Sequence, residues 1–260
     1  MIHGLDQPGR ALVTGASSGI GLSVTTQLLA QVGVSQVVAV SRHAERNDAL
    51  DALAQIHGNR LLRISLDLTD EGALAALPVR LASDAQSPDA ARLHMVFNAA
   101  GMLHGPGLAP EKSLASLRAD ALASVFALNA FAPILLIQAL APLLPRDVPL
   151  VFASLSARVG SIGDNHLGGW YAYRASKAAQ NQLLRTLAVE WRRTHPQATC
   201  VLLHPGTVDT PLSQPFQAHV PADKLFTPDR AARQLLAIVH EITPAQSGRF
   251  LAWDGSEVPW

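Results

Sequence analysis

Ala11-Leu12-Val13-Thr14-Gly15-Ala16-Ser17-Ser18-Gly19-Ile20-Gly21 is the stretch that decides the fold. Its first residues belong to an apolar run of strand length. From Ile20 onward apolar side chains recur at Val24, Leu28 and Leu29, the period of a helix. A strand that passes through a glycine loop into a helix is a phosphate-binding arrangement. The glycines permit a tight turn and a close approach of backbone to a pyrophosphate. The helix N-terminus adds free N–H donors at the positive end of its dipole. An ordinary glycine-rich turn has the same pattern, so the rest of the chain has to decide.

Apolar runs of strand length alternate with longer helix-period segments to the end of the chain. We read strands at 10–14, 36–41, 60–65, 93–97, 150–154, 199–204 and 250–252. They are continuously apolar rather than alternating, as strands buried on both faces are. The expected fold is α/β, a Rossmann-like doubly wound parallel sheet of seven strands with helices on both faces. The 260 residues suffice for one core, and no linker or repeat divides them. One domain is expected, its cofactor half near 1–155 and its catalytic and substrate half near 156–260. The polar stretch 83–91 reads as a surface loop or helix end.

Composition narrows the function. Hydrophobic residues make up 48% and charged residues 15%, which describes a compact globular chain rather than a disordered one. The formal net charge is zero and no basic stripe appears, which argues against nucleic acid as a partner. The one cysteine, Cys200, excludes an internal disulfide and reads as a buried strand residue. The histidines do not cluster and no H-E-x-x-H occurs, so no metal site is expected. No charged-then-apolar leader precedes the first strand, so a cytoplasmic location is expected. The uncharged run 121–144 is long enough to cross a bilayer. It holds Asn129, Pro133, Gln138 and Pro142 and stands within the α/β alternation. It reads as a buried helix packed on the sheet and on a neighbouring subunit, with no membrane involved.

A second segment carries chemistry. Tyr171-Ala172-Tyr173-Arg174-Ala175-Ser176-Lys177 opens a helix-period run. Tyr173 and Lys177 are one turn apart on one helix face. A cationic lysine close to a phenol favours the phenolate and lowers its pKa. A phenol so tuned gives a proton to a carbonyl oxygen or takes one from an alcohol. The plain alternative is a solvent-facing Tyr and Lys, and it weakens once the chain also supplies a dinucleotide site.

The end of the second strand selects the dinucleotide. An acidic residue there would bond the adenosine ribose 2′-hydroxyl. This strand ends Val40-Ser41-Arg42 with no carboxylate. An arginine fork suits a 2′-phosphate, so Ser41 and Arg42 favour NADP(H) over NAD(H). A solvent arginine at a strand end is the other reading.

The T-G-x-x-x-G-x-G loop at 14–21, Asn98-Ala99-Ala100-Gly101, Tyr173-x-x-x-Lys177 and Pro205-Gly206 occur in that order. Together they resemble the short-chain dehydrogenase/reductase family over nearly the whole chain. Ser156-Ala-Arg-Val-Gly-Ser-Ile-Gly-Asp-Asn165, followed by Tyr-Arg-Ala-Ser-Lys, resembles its C-factor-like and sniffer-like carbonyl reductases. The resemblance implies that Gly15, Ser17, Ser18, Gly19, Ile20 and Gly21 wrap the cofactor phosphates. It puts Asp67 and Leu68 at the adenine, and Asn98, Ala99 and Gly101 along the cofactor wall. It gives Pro205, Gly206, Val208 and Thr210 to the nicotinamide end. Tyr173 becomes the acid/base and Lys177 the ligand of the ribose hydroxyls. Asn129 becomes the holder of a water linking Lys177 to solvent, the favoured reading of a polar residue in this apolar run, with local bonding to backbone as the alternative. Dimers or tetramers of the chain are also implied.

One departure stands out. The branch places a catalytic serine three residues before the glycine matching Gly160, and position 157 is Ala. Ser156 is the expected substitute, with Ser161 or no serine at all as the alternatives. Loss of such a donor costs about 10²–10³ in turnover. The segment 211–226 looks like a lid over the substrate. Asp67-Leu68-Thr69-Asp70 holds the N-cap of the next helix at Thr69 or Asp70, and Thr227-Pro228-Asp229 is another helix start. The tail Trp253–Trp260 is apolar enough to dock, across a subunit interface. The expected function is NADPH-dependent interconversion of a neutral, partly apolar carbonyl compound and its alcohol. The rival is a dinucleotide-binding regulatory or signalling protein with little catalysis, which the missing serine keeps open.

Overall fold

The computed structural model describes residues 2–218 and 220–260. His219, inside the expected lid, lies outside the described residues. Seven strands form one parallel sheet in the order β3-β2-β1-β4-β5-β6-β9. They are β1 (Gly9–Thr14), β2 (Val34–Ser41), β3 (Leu61–Ser65), β4 (Met95–Asn98), β5 (Leu150–Leu155), β6 (Ala198–His204) and β9 (Phe250–Ala252). Each expected strand is present, displaced by at most two residues at an end, which is the ordinary uncertainty of element boundaries.

Helices cover both faces, as strands with no polar face require. On one side α1 (Gly19–Leu29), α2 (Asp48–His57) and α8 (Pro228–Glu241) enclose a core with Val24, Leu28, Leu50, Leu235 and Val239. On the other, α3 (Glu71–Asp84), α6 (Ala132–Leu140) and α7 (Tyr171–Thr194) bury Leu77, Leu81, Leu136, Leu140, Leu184 and Trp191. The strand order reverses between β1 and β4, which opens a crevice at the carboxyl ends of those strands.

Some local features depart from the sequence reading. The stretch 83–91 contains the end of α3 and a short helix α4 (Pro88–Ala91), whose Ser87 cap accepts from Ala90 N–H. The run 121–144 is interrupted: α5 (Ala119–Phe126) passes into a π-helical turn, Ala127–Phe131, before α6. By length and composition Ala119–Leu143 is apolar enough to cross a membrane. In the fold it lies on the sheet with Leu136 and Leu140 fully buried, a core helix as expected. The tail turns back on its own chain. Ala252 N–H bonds Ser256 O, Val258 N–H bonds Phe250 O, and Trp260 O accepts from Gly163 N–H. Val258 is buried by this turn, while Trp260 stays 47% exposed. Two short strands, β7 (Thr207–Val208) and β8 (Leu225–Phe226), pair in parallel and close off the segment expected to be a lid. Two-residue strands leave no periodicity to read.

Phe152, fully buried on β5, tests the core. Phe152→Ala should lower the unfolding free energy by about 3–5 kcal/mol. Val32→Ala, at a side chain 95% exposed, should change it by less than about 0.5 kcal/mol. Urea denaturation of the two variants beside the wild type checks both.

Candidate active site

The sheet register sets the base of the site. Leu12, Val96 and Phe152 are neighbours in one row across β1, β4 and β5, and Thr14, Asn98 and Ser154 are neighbours two residues further on. Side chains two apart on a strand share a face, so this polar row continues the apolar one beneath α7. Its members are fully buried or nearly so and must be paired. Thr14 Oγ1 donates to Asn98 Oδ1 at 2.6 Å, and Asn98 Nδ2 donates to Ser154 Oγ at 2.8 Å. Gln180 of α7 donates Nε2 to the same Ser154 Oγ at 2.6 Å. Lys177 Nζ donates to Gln180 Oε1 at 3.0 Å and to Leu155 O at 2.8 Å. A continuous line of hydrogen bonds thus joins β1 to the lysine of α7. The Asn98 side chain is used up within this row.

Helix α7 is placed by close packing. A Cβ on Gly160 would stand 2.7 Å from Lys177 Cβ and 3.0 Å from Lys177 C, so only glycine admits this approach. The helix begins under a clamp from the loop after β4. Glu111, 3% exposed, accepts from Ala172 N–H at 3.1 Å through Oε2, and its backbone O accepts from Trp170 N–H at 2.5 Å. Trp170 itself is left-handed, φ 51° and ψ 45°, which costs a side-chain-bearing residue roughly 1–2 kcal/mol.

Tyr173 and Lys177 are both buried, with Lys177 Nζ 5.9 Å from the Tyr173 ring centroid. Burial decides their electrostatics. It pushes the Tyr173 phenol up to about 12 and the Lys177 ammonium down to about 7. The expectation that Lys177 lowers the Tyr173 pKa is therefore not met in this structure. Both groups are desolvated, and the lysine is held sideways by Leu155 and Gln180. His204, at the end of β6, is lowered to about 4 by burial and by Arg158, and its Nδ1 accepts from Arg158 N–H at 3.3 Å. It is neutral at neutral pH.

Asn129 lies in the π-helical turn, fully buried. Its Nδ2 donates to Met102 O at 2.8 Å and to Ser176 Oγ at 3.1 Å, and its Oδ1 accepts from Met102 N–H at 2.8 Å. Local bonding accounts for the side chain, which ties the loop after β4 to α7. At Gly101 the two groups come close: a Cβ there would lie 3.6 Å from Asn129 Oδ1 and 3.7 Å from Lys177 Nζ. Ser156 is already paired. Its hydroxyl is buried and donates to Asn181 Oδ1 at 2.6 Å, because strand alternation turns it toward α7. Ser161, also buried, accepts from Asp164 N–H within a turn. Ala157 carries no hydroxyl.

The residues assigned to a dinucleotide surround the crevice. Ser17, Ser18 and Ile20 lie where the loop enters α1, and Ser18 is the N-cap residue without a side-chain cap bond, leaving its hydroxyl free. Gly21 lies so near Gly15 that a Cβ would stand 2.2 Å from its carbonyl oxygen. Thr210 packs on Gly19, its Cγ2 2.9 Å from where a Cβ would be. Ala99, Pro205 and Gly206 follow their strand ends, while Val208 is buried in the short β7–β8 ladder. Ser41 Oγ is buried without a partner, and Arg42 beside it is exposed. An orphaned hydroxyl next to an exposed guanidinium, whose charge also acts on Asp67, fits an incoming phosphate. Asp67 closes an Asx turn on Thr69 N–H and Oγ1, which holds its carboxyl below the usual range. Leu68 is buried, and Asp70, not Thr69, caps α3.

Sequence reading missed Gln180, Glu111 and the conformation of Trp170. Gln180 had a signal: it is polar, three residues after Lys177, on the face of α7 that the apolar period buries. No metal-binding cluster of His, Cys, Asp and Glu occurs among the described residues.

The short chain dehydrogenase family profile matches residues 10–221. The 1-hydroxy-2-glutathionyl-2-methyl-3-butene dehydrogenase of Rhodococcus sp. (strain AD45) is 31% identical over 255 residues, 96% of this chain and 98% of that protein. C-signal of Myxococcus xanthus is 38% identical over 140 residues, 54% of this chain and 78% of that one. Among solved structures, the NADPH-bound carbonyl reductase from chicken fatty liver superposes with a TM-score of 0.84 at 26% identity, covering 98% of this chain and 100% of the other.

Burial of the pair couples stability to pH. Lys177 is protonated to about pH 10.5 when unfolded but only to about 7 when folded. Between these values the unfolded chain binds the extra proton, so stability should rise with pH by roughly 1 kcal/mol per unit. Above pH 10 the unfolded tyrosine ionises before Tyr173, pushed up to about 12, and the slope reverses. Urea melts should show this rise from pH 7 to 10 in the wild type and its loss in Lys177→Met.

Proposed function

The chain belongs to the short chain dehydrogenases, and we propose that it is an NADPH-dependent carbonyl reductase of that family, Tyr173 serving as its acid and base. The observation that carries this reading is the buried Tyr173–Lys177 pair on α7, beside Gly101 at the switch point of the sheet. The bound cofactor supplies the hydride, and the protein supplies orientation and the proton. With a pKa pushed up to about 12, the Tyr173 phenol is protonated at neutral pH and ready to donate to a carbonyl oxygen. Lys177, when protonated, favours the phenolate left behind. Its Nζ already has acceptors in Leu155 O and Gln180 Oε1, so it enters the reaction from a fixed position. Ser156, committed to Asn181, has no part in this proposal, and Tyr173 handles the substrate oxygen without a serine.

NADPH is preferred on three grounds. No carboxylate ends β2, Ser41 Oγ is buried without a partner, and Arg42 is exposed beside it. The chicken carbonyl reductase, similar in fold, is bound to NADPH. We also propose a homo-oligomer through the uncovered face of α5, α6 and α7, where Phe131 is 49% and Val189 50% exposed.

NADPH oxidation against a panel of aldehydes and ketones tests the activity. Tyr173→Phe should lower kcat by about 10²–10⁴ while leaving the NADPH dissociation constant within a factor of a few. Full activity in that variant would remove Tyr173 from the chemistry. Binding of NADPH with no turnover on any carbonyl would favour the regulatory reading. Arg42→Asp should reverse the ratio of NADPH to NADH affinity; unchanged NADPH selectivity would overturn the cofactor assignment.

A further inference from the structure

Trp170 is the one residue other than glycine with a positive φ among the described residues. It follows Gly168 and Gly169, at φ +63° and +65°, so the chain makes three consecutive left-handed steps into the catalytic helix. Glycine would make the third step without strain. A large aromatic there points to a use for its side chain. Its backbone is over-determined: Glu111 O accepts its N–H, its own O accepts from Arg174 N–H at 2.8 Å, and Arg174 Nε spans the carbonyls of Gly168 and Gly169 at 3.1 and 3.0 Å.

What the strained residue presents is an aromatic wall. The Trp170 ring meets the Tyr173 ring edge to face at 6.2 Å, and meets Phe216 of the lid at 5.0 Å. Phe216 in turn meets His104 at 5.8 Å. His104 Nε2 lies 3.1 Å from both Pro211 O and Leu212 O. Both partners are acceptors, so Nε2 carries the proton and latches the lid to the loop after β4. A chain of rings thus runs from the reacting phenol to the lid. Phe216 rides on a short 3-10 turn between β7 and β8 and is only half-buried. Neither Trp170 nor Phe216 has a cation over its ring among the described residues.

Resting on the reductase reading, we propose that the substrate is an uncharged carbonyl compound bearing an aromatic ring, seated edge to face on Trp170 where Phe216 now packs. Trp170 is then the specificity-determining residue, and Phe216 is the lid's own stand-in for the substrate ring. Edge-to-face pairing rewards a π system over a saturated ring of equal size, which separates this preference from general hydrophobicity.

Benzaldehyde and cyclohexanecarboxaldehyde, which share a carbon count, make the comparison with NADPH as reductant. Their intrinsic reactivities differ, so the quantity read is the benzaldehyde-to-cyclohexanecarboxaldehyde ratio of kcat/KM in the wild type, divided by the same ratio in Trp170→Gly. We expect this quotient to be about 2 to 10, an effect of the size aromatic pairing supplies. Trp170→Gly should still fold, since glycine accepts this backbone. A quotient near one, with both aldehydes turned over, would overturn the inference and leave the reductase reading standing. If no aldehyde is reduced, the reductase reading fails and calorimetry decides the inference by itself. Benzyl alcohol should then bind the wild type with NADP⁺ about 2- to 10-fold tighter than it binds Trp170→Gly, while cyclohexylmethanol shows no such difference. Equal losses for the two alcohols would overturn it.

Discussion

A buried lysine can be held in one place only if every polar group around it is paired, and that requirement shapes this site. Lys177 Nζ is anchored by Leu155 O and by Gln180, and Gln180 by Ser154. Ser154 is joined through Asn98 to Thr14 at the mouth of the glycine loop. The strand register makes this possible, because Thr14, Asn98 and Ser154 are neighbours on one face of three adjacent strands. Removing one member would leave a buried donor or acceptor unpaired, at about 1–3 kcal/mol. The glycine loop and α7 are therefore one mechanical unit, although they are far apart in sequence. Gly160 completes it by letting the turn after β5 approach the backbone of α7.

The fold was legible because it rests on repetition. Strands buried on both faces read as uninterrupted apolar runs, and the glycine loop fixes which end of the sheet is functional. The positions of Tyr173, Lys177 and Gly101 followed from short motifs whose spacing alone brings them together. The misreadings fall where the outcome depends on partners distant in sequence. Spacing puts a hydroxyl at 156, but only the docked α7 shows that Asn181 takes it. The apolar run 121–144 shows a buried amide, but Met102, the partner that satisfies it, belongs to another element. Asn98 stands in a motif associated with cofactor binding, yet its side chain is used up within the buried row. In each case the bond that the side chain makes is set by tertiary structure.

The aromatic wall shows the same logic from the other side. Trp170 gains nothing from its local conformation, which glycine would adopt more readily. It is tolerated because Glu111 pins the backbone on both sides of it, accepting from Trp170 N–H and Ala172 N–H. Glu111 is itself buried at the start of α7, where the free N–H groups need acceptors. The side chain that caps α7 is thus also what allows a strained tryptophan beside Tyr173.

Burial sets the charge state of Tyr173 and Lys177. A phenol beside a fully hydrated ammonium would be drawn toward the phenolate, the form that accepts a proton from an alcohol. Here both groups are taken out of water, and desolvation favours the neutral form of each. The proton therefore stays on Tyr173, while Lys177 gives up its own near neutral pH. On the proposed reductase reading, a protonated phenol is the form that donates to a carbonyl oxygen. The acceptors that hold Lys177, a backbone carbonyl and a neutral amide, bring no charge to offset its burial. The pair's protonation is therefore set by desolvation rather than by a counter-ion.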